Sequence, residues 1–196
     1  MRNRNIFFGL LTALAVVGMA FTSTSLVNVD TAASFISWKA QKVTGSHNGK
    51  VMLKEGQLNF EDGQLVGGGF EIDMNSIICE DLQGEWNEKL VGHLKSPDFF
   101  GVEKHPTATF KITKVISRGL PGSYKVIGDI TIKETTKEIK FNAQVEEKAG
   151  KQVATADITL DRSEFDIRYG SGSFFDNLGD KTIYDEFELS VTLVSK

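Results

Sequence analysis

From Ser34 onward, apolar side chains recur at every second position, a period that fits strands with one buried face and one solvated face. Ile36, Trp38 and Ala40 share the face of a first strand. Val51, Leu53, Leu58 and Phe60 mark a long second one, with Gly56 at a bulge or bend. Glu61-Asp62-Gly63 signals a turn. Val66, Gly68, Phe70, Ile72 and Met74 then alternate with Gly67, Gly69, Glu71 and Asp73. Four further stripes follow Pro106, carried by Ala108–Ile112, Tyr124–Ile132, Ile139–Val145 and Ala154–Leu160. Phe187, Leu189, Val191 and Leu193 close the series. Between them, residues 161–181 are rich in Gly, Asp and Ser and read as loop.

The period breaks once. Leu82, Trp86, Leu90, Val91 and Leu94 recur at helical spacing, which predicts a helix within Asp81–Lys95. Ser96-Pro97 then reads as an N-cap and first helical residue of a short turn closed by Gly101. The sum is an all-β domain of about eight antiparallel strands, with one short helical insertion between the third and fourth. Such strands close into a barrel or fold into a sandwich. Ala40, Gly68, Gly128, Ala143, Ala154 and Ala156 are small residues on inward stripes. Either they leave space along an axis, or Trp38, Phe110 and Phe141 fill it.

The chain begins differently. Arg2 and Arg4 precede the uncharged run Ile6–Phe21, which ends in Gly18-Met19-Ala20, a small-x-small pattern. This reads as a secretory signal peptide over 1–20, with 21–33 as a lead-in and 34–196 as the barrel domain. Export to the periplasm or beyond is expected. Cleavage would move the formal charge from −4 to about −6, since two arginines are lost. An acidic chain has no basic surplus for nucleic acid. A single cysteine excludes an internal disulfide framework.

The sequence offers little chemistry. It has no nucleophile elbow, phosphate loop, dinucleotide fingerprint or zinc-protease helix, and no catalytic residue, metal or cofactor is assigned. His47, His93 and His105 share no ligand spacing. Asp176, Asp180 and Asp185 flank a glycine-rich loop but lack the EF-hand pattern. Acidic neighbours of Cys79 disfavour a thiolate there. An enzyme reading would rest on His93 with Glu88 or Asp98; a structural module would need an exposed apolar patch. The positive signal is apolar. Fourteen phenylalanines stand against three tyrosines, and Trp86, Leu90, Leu94, Phe99 and Phe100 form a greasy segment that plugs a barrel end or lines its mouth. Phe174-Phe175 could flank the same mouth.

Four stretches in order resemble the YceI-like family of secreted, polyisoprenoid-binding proteins. They are Thr44–Gly49; Phe70–Ile77; Leu90–Phe100 with His105–Phe110, which carries an HL-S-DFF…P-A-F pattern; and Gly128–Ile132 with Thr136–Ile139. The turn at Glu134–Glu138 departs from the family's usual Gly-Val-Thr-Lys-Pro. The resemblance implies a lipocalin-like barrel around an apolar tunnel. Its ligand would be a polyisoprenoid, an isoprenoid quinone or another long-chain lipid, bound without catalysis for sequestration or transport. Expected wall residues are Trp38, Phe70, Phe110, Ile130, Phe141, Ile158 and Phe187, with Trp86, Leu90 and Phe99 from the helical segment. His47 and Arg168 are candidates for a polar head group. Transient membrane contact, and either a monomer or a homodimer, are compatible with this reading.

Overall fold

A computed structural model describes residues 23–196; the expected signal peptide lies outside them. Nine strands are present among the described residues: β1 Thr24–Asn28, β2 Phe35–Lys42, β3 Gly45–Glu61, β4 Gln64–Cys79, β5 Thr107–Ser117, β6 Ser123–Ile132, β7 Thr135–Lys148, β8 Lys151–Asp161 and β9 Ile183–Val194. Helix α1, Gly84–Lys95, lies between β4 and β5. All neighbouring strands pair antiparallel. The order runs β3-β2-β9-β8-β7-β6-β5-β4, and the β3–β4 pairing joins its two ends. Eight strands therefore form a closed barrel, as the family resemblance implies; the alternation alone fits a sandwich equally well.

The ninth strand, β1, falls in the segment expected to be a lead-in. It occupies the part of the β3 edge that β2 does not reach: β2 pairs with Gly45–Val51 and β1 with Gln57–Glu61. Val29 continues the join, with its N–H on the Gly56 carbonyl and a bridge to Ser195. Thus β1 and β2 share one strand position, broken by the turn at Asp30–Ala33. This satisfies backbone groups that would otherwise be left along a sheet edge.

Two local expectations change. Val66 faces out and Leu65 is buried, because β4 slips its register against β3 between the Asn59–Gly67 and Phe60–Leu65 pairs. The extra residue is a bulge, which inverts the alternation on one side of it. Ser96 does not open a second helix. Its N–H and hydroxyl both donate to the His93 carbonyl at the end of α1, and hydrogen-bonded turns follow as far as Gly101. The 161–181 loop contains two 3-10 turns, Arg162–Phe165 and Gly179–Lys181.

Asp81 ties the β3 start to the β4 exit. One carboxylate oxygen accepts from the Asn48 N–H at 2.9 Å and from the Cys79 thiol at 3.2 Å; the other lies 2.8 Å from His47 Nδ1. Burial pushes this carboxyl up, but the Asn48 N–H and the His47 ring outweigh it and hold the pKa at about 2. Burial, followed by the hydrogen bond to Asp81, pushes the Cys79 thiol up. Since Asp81 is depressed from 3.8, its stabilisation is complete above the unfolded value and is lost as pH falls through about 2. Asp81→Asn is expected to cost about 1–2 kcal/mol at neutral pH. It should also flatten the stability profile between roughly pH 4 and 2 in urea unfolding followed by circular dichroism.

Candidate functional site

The inward stripes enclose a cavity of about 200 Å³ with an almost entirely apolar lining. It stays open because aromatic rings lie back against the wall. Phe70 sits opposite Gly56, where an added Cβ would come within 2.6 Å of its ring. Trp38 sits opposite Gly49 at 2.7 Å on the same measure, and Phe110 covers Gly128 at 2.5 Å. A glycine under each ring lets the large side chain pack flat on backbone instead of crossing the axis. Phe70 and Phe110 stack with centroids 6.4 Å apart, and Phe141 approaches Phe110 at 5.6 Å. Ala40, Ala143, Ala154 and Ala156 also border the space. The small inward residues and the aromatics therefore act together, and the aromatics do not fill the interior.

Of the expected wall residues, Trp38, Phe70, Phe99, Phe110, Ile130, Phe141, Ile158 and Phe187 line the cavity. Leu90 packs on the surrounding core without reaching it. Trp86 is placed elsewhere: it is 71% exposed and stacks with the Lys89 ammonium at 5.1 Å. Each four-residue step along a helix turns the stripe by roughly 40°, so Trp86 stands about 80° away from Leu94, which does line the cavity.

The polar candidates also lie away from the lining. His47 is paired with Asp81 at the rim. The Arg168 guanidinium donates to Asp166 and lies over the Phe174 ring, and both Phe174 and Phe175 are exposed.

The cation at the cavity is Arg162, which the sequence reading did not single out. It is 3% exposed. Its Nε donates to the Tyr184 carbonyl, one terminal nitrogen to Ile167 and Tyr169, and the other to Ile183. Asp185 faces that last nitrogen at 3.1 Å and accepts from the Ser171 and Ser173 hydroxyls through its other oxygen. Burial lowers the Arg162 pKa, and Asp185 acts in the opposite direction. With its donors on four carbonyls and the Asp185 carboxylate beside it as counter-charge, Arg162 fastens the 167–185 loop to the barrel end and has little left for a ligand. Its stem and the Phe99 ring, 5.4 Å from the guanidinium carbon, close that end.

His93 packs edge-on against Phe99 and Tyr169, and neither Glu88 nor Asp98 forms a salt bridge with it among the described residues. Asp176 and Asp180 are exposed, while Asp185 turns inward to Arg162. Among the described residues no three His, Cys, Asp or Glu side chains are grouped to hold a metal.

Fold and site together define a closed antiparallel β-barrel with an apolar internal chamber, capped by one helix. The YceI-like domain model matches residues 27–195, and the chain belongs to that family. A UPF0312 protein of Vibrio parahaemolyticus is 26% identical over 176 residues, covering 86% of this chain and 90% of that protein. Burkholderia cenocepacia BcnA superposes with a TM-score of 0.71 at 21% identity, over 86% of this chain and 99% of that one. A polyisoprenoid-binding domain from Saccharophagus degradans gives 0.65 at 13% identity, over 86% and 97%.

Arg162→Lys preserves charge but cannot reach four carbonyls from one nitrogen. It is expected to lower stability by about 3 kcal/mol in urea unfolding. Hydrogen exchange should rise across the 167–185 loop while remaining near wild type in β5 and β6.

Proposed function

We propose that this protein binds a long-chain apolar lipid in its barrel, sequestering or carrying it through water without chemical change. The observation that carries this reading is the chamber itself, a lined space held open by rings resting on glycines. An apolar void stays dry, and its walls forgo dispersion contacts until an apolar guest supplies them. Burial of the guest then contributes roughly 25 cal/mol per Å² of apolar surface removed from water. The family match and the polyisoprenoid-binding neighbour favour an isoprenoid chain, either a polyprenyl compound or an isoprenoid quinone. The basic, apolar, small-residue pattern of the first twenty residues supports export, and a carrier in that compartment would collect and deliver its ligand by brief membrane contact.

The two tryptophans provide a direct test. In Trp86→Phe, Trp38 on the cavity wall is the only donor, and cis-parinaric acid, a fluorescent eighteen-carbon chain, serves as the acceptor. Saturable energy transfer, reversed by unlabelled geranylgeraniol, is the expected result. Phe141→Ala in the same background should weaken binding by about tenfold, once corrected for folded protein. Transfer no greater than with urea-unfolded chain would contradict the proposal.

A further inference from the structure

A chamber inside a closed barrel needs a way in, and buried side chains narrow both ends of this one. At the α1 end, Leu94, Phe99 and Val102 are buried and Arg162 fastens the facing loop, and Tyr184 at the β9 start is the exposed residue that borders the chamber there. At the opposite end, Phe60, Leu65 and Tyr124 are buried.

The wall is interrupted between β7 and β8. Their ladder runs from Lys148–Lys151 to Ala143–Ala156 and stops there. Beyond it, Thr135–Asn142 pair only with β6, and Asp157–Asp161 only with β9. Backbone N–H and C=O groups facing this split have no ladder partner and must meet solvent. Among the described residues, no side-chain hydrogen bond or ion pair joins the two stretches. Above the split, the Arg162–Phe165 turn packs against β7 with Phe165 buried, and Lys133 Nζ donates to the Asp166 carbonyl at 3.3 Å.

A second interruption shows what a sealed split looks like. The β4–β5 ladder ends at Gly69–Lys111, but there the Tyr124 hydroxyl reaches over from β6 and accepts the Leu65 N–H at 3.2 Å, in a buried position. The β7–β8 split has no such bolt among the described residues.

An outer groove of about 320 Å³ lies against the foot of this split, bordered by Arg118, Asn142, Gln144, Asp157 and Ser190. The groove and the inner chamber share four lining residues: Ala143, Thr155, Ala156 and Val191. Thr155 is on the exposed face of β8 and still borders the inner chamber, so inside and outside meet at this point. Two alanines form the last rung, leaving only methyl groups in the passage.

The geometry points to a lateral portal between β7 and β8, through which the chain of an amphiphile passes into the barrel while its polar end stays in the outer groove. This rests on the lipid-binding reading and adds the route and the placement of the head. The groove presents the Arg118 guanidinium and the Asn142 amide, whereas the chamber lining is almost entirely apolar and the donors of its Arg162 are held by carbonyls. Side entry also lets the barrel lie against a bilayer and draw a chain out without exposing its full length to water.

The test closes the portal. In a Cys79→Ser, Trp86→Phe background, Asn142→Cys with Asp157→Cys places thiols at the next rung of the extrapolated ladder. Stopped-flow energy transfer from Trp38 to cis-parinaric acid reads uptake and release, and mass spectrometry confirms the disulfide. Exchange in the oxidised protein should be slower than in the same protein after dithiothreitol by about tenfold or more. Thr155→Phe, which fills the passage from outside without a disulfide, should slow exchange in the same way. Oxidised and reduced rates agreeing within about twofold, with Thr155→Phe exchanging like its parent, would overturn the portal while leaving the lipid-binding reading standing. Absence of any transfer in the parent protein would overturn both.

Discussion

Closure of the sheet on β3 is the constraint from which the other features follow. This seventeen-residue strand pairs with β4 along one edge and with β2 and then β1 along the other. A ring removes strand edges, so outside the two splits the backbone finds its partners within the wall and the inward side chains need not do that work. What remains inside is a matter of volume. A solid interior would require bulky residues crossing the axis. Here Trp38, Phe70 and Phe110 lie on glycines, and Ala40, Ala143, Ala154 and Ala156 line other parts of the wall, so the ring encloses a chamber.

A hollow core has an energetic consequence. Close packing is the normal state of protein interiors, and unfilled space costs about 24 cal/mol per Å³ in cavity-forming substitutions. The long ladders and the anchored ends compensate. Arg162 on four carbonyls holds one end, and the Tyr124–Leu65 hydrogen bond closes a seam near the other. The ring is thus held by its own wall and ends, and under the proposed function a guest would enter a preformed space with little ordering to offset.

The alternation of Ile36-Trp38-Ala40 or Phe187-Leu189-Val191 is legible because a strand's faces depend on parity alone, so most wall residues could be named from the sequence. Features set by pairing were not legible in that way. The Val66 bulge depends on the register between β3 and β4, which no run within β4 encodes. The strand character of Thr24–Asn28 comes from the vacant β3 edge; only Leu26 and Val27 are apolar there. Trp86 shares helical spacing with Leu90 and Leu94, but helical drift turns it out of the site. Arg162 stands in the unremarkable run Asp161-Arg162-Ser163, and its role depends on carbonyls that the loop brings back from Ile167, Tyr169, Ile183 and Tyr184. The β7–β8 split is equally silent, since β7 keeps its inward stripe through Ile139 and Phe141 after β8 has left it. The resemblance to the YceI-like family supplied the barrel and its hollow interior; the residues alone had left packed and hollow interiors open.

The central claim is that the chamber holds a long apolar chain. It is tested most directly by native mass spectrometry of protein purified without detergent, followed by solvent extraction of whatever accompanies it. The account predicts a second species heavier than the chain alone, and an extract carrying an isoprenoid or other long-chain lipid. A mass equal to the bare polypeptide, unchanged after incubation with geranylgeraniol or an isoprenoid quinone, would contradict it.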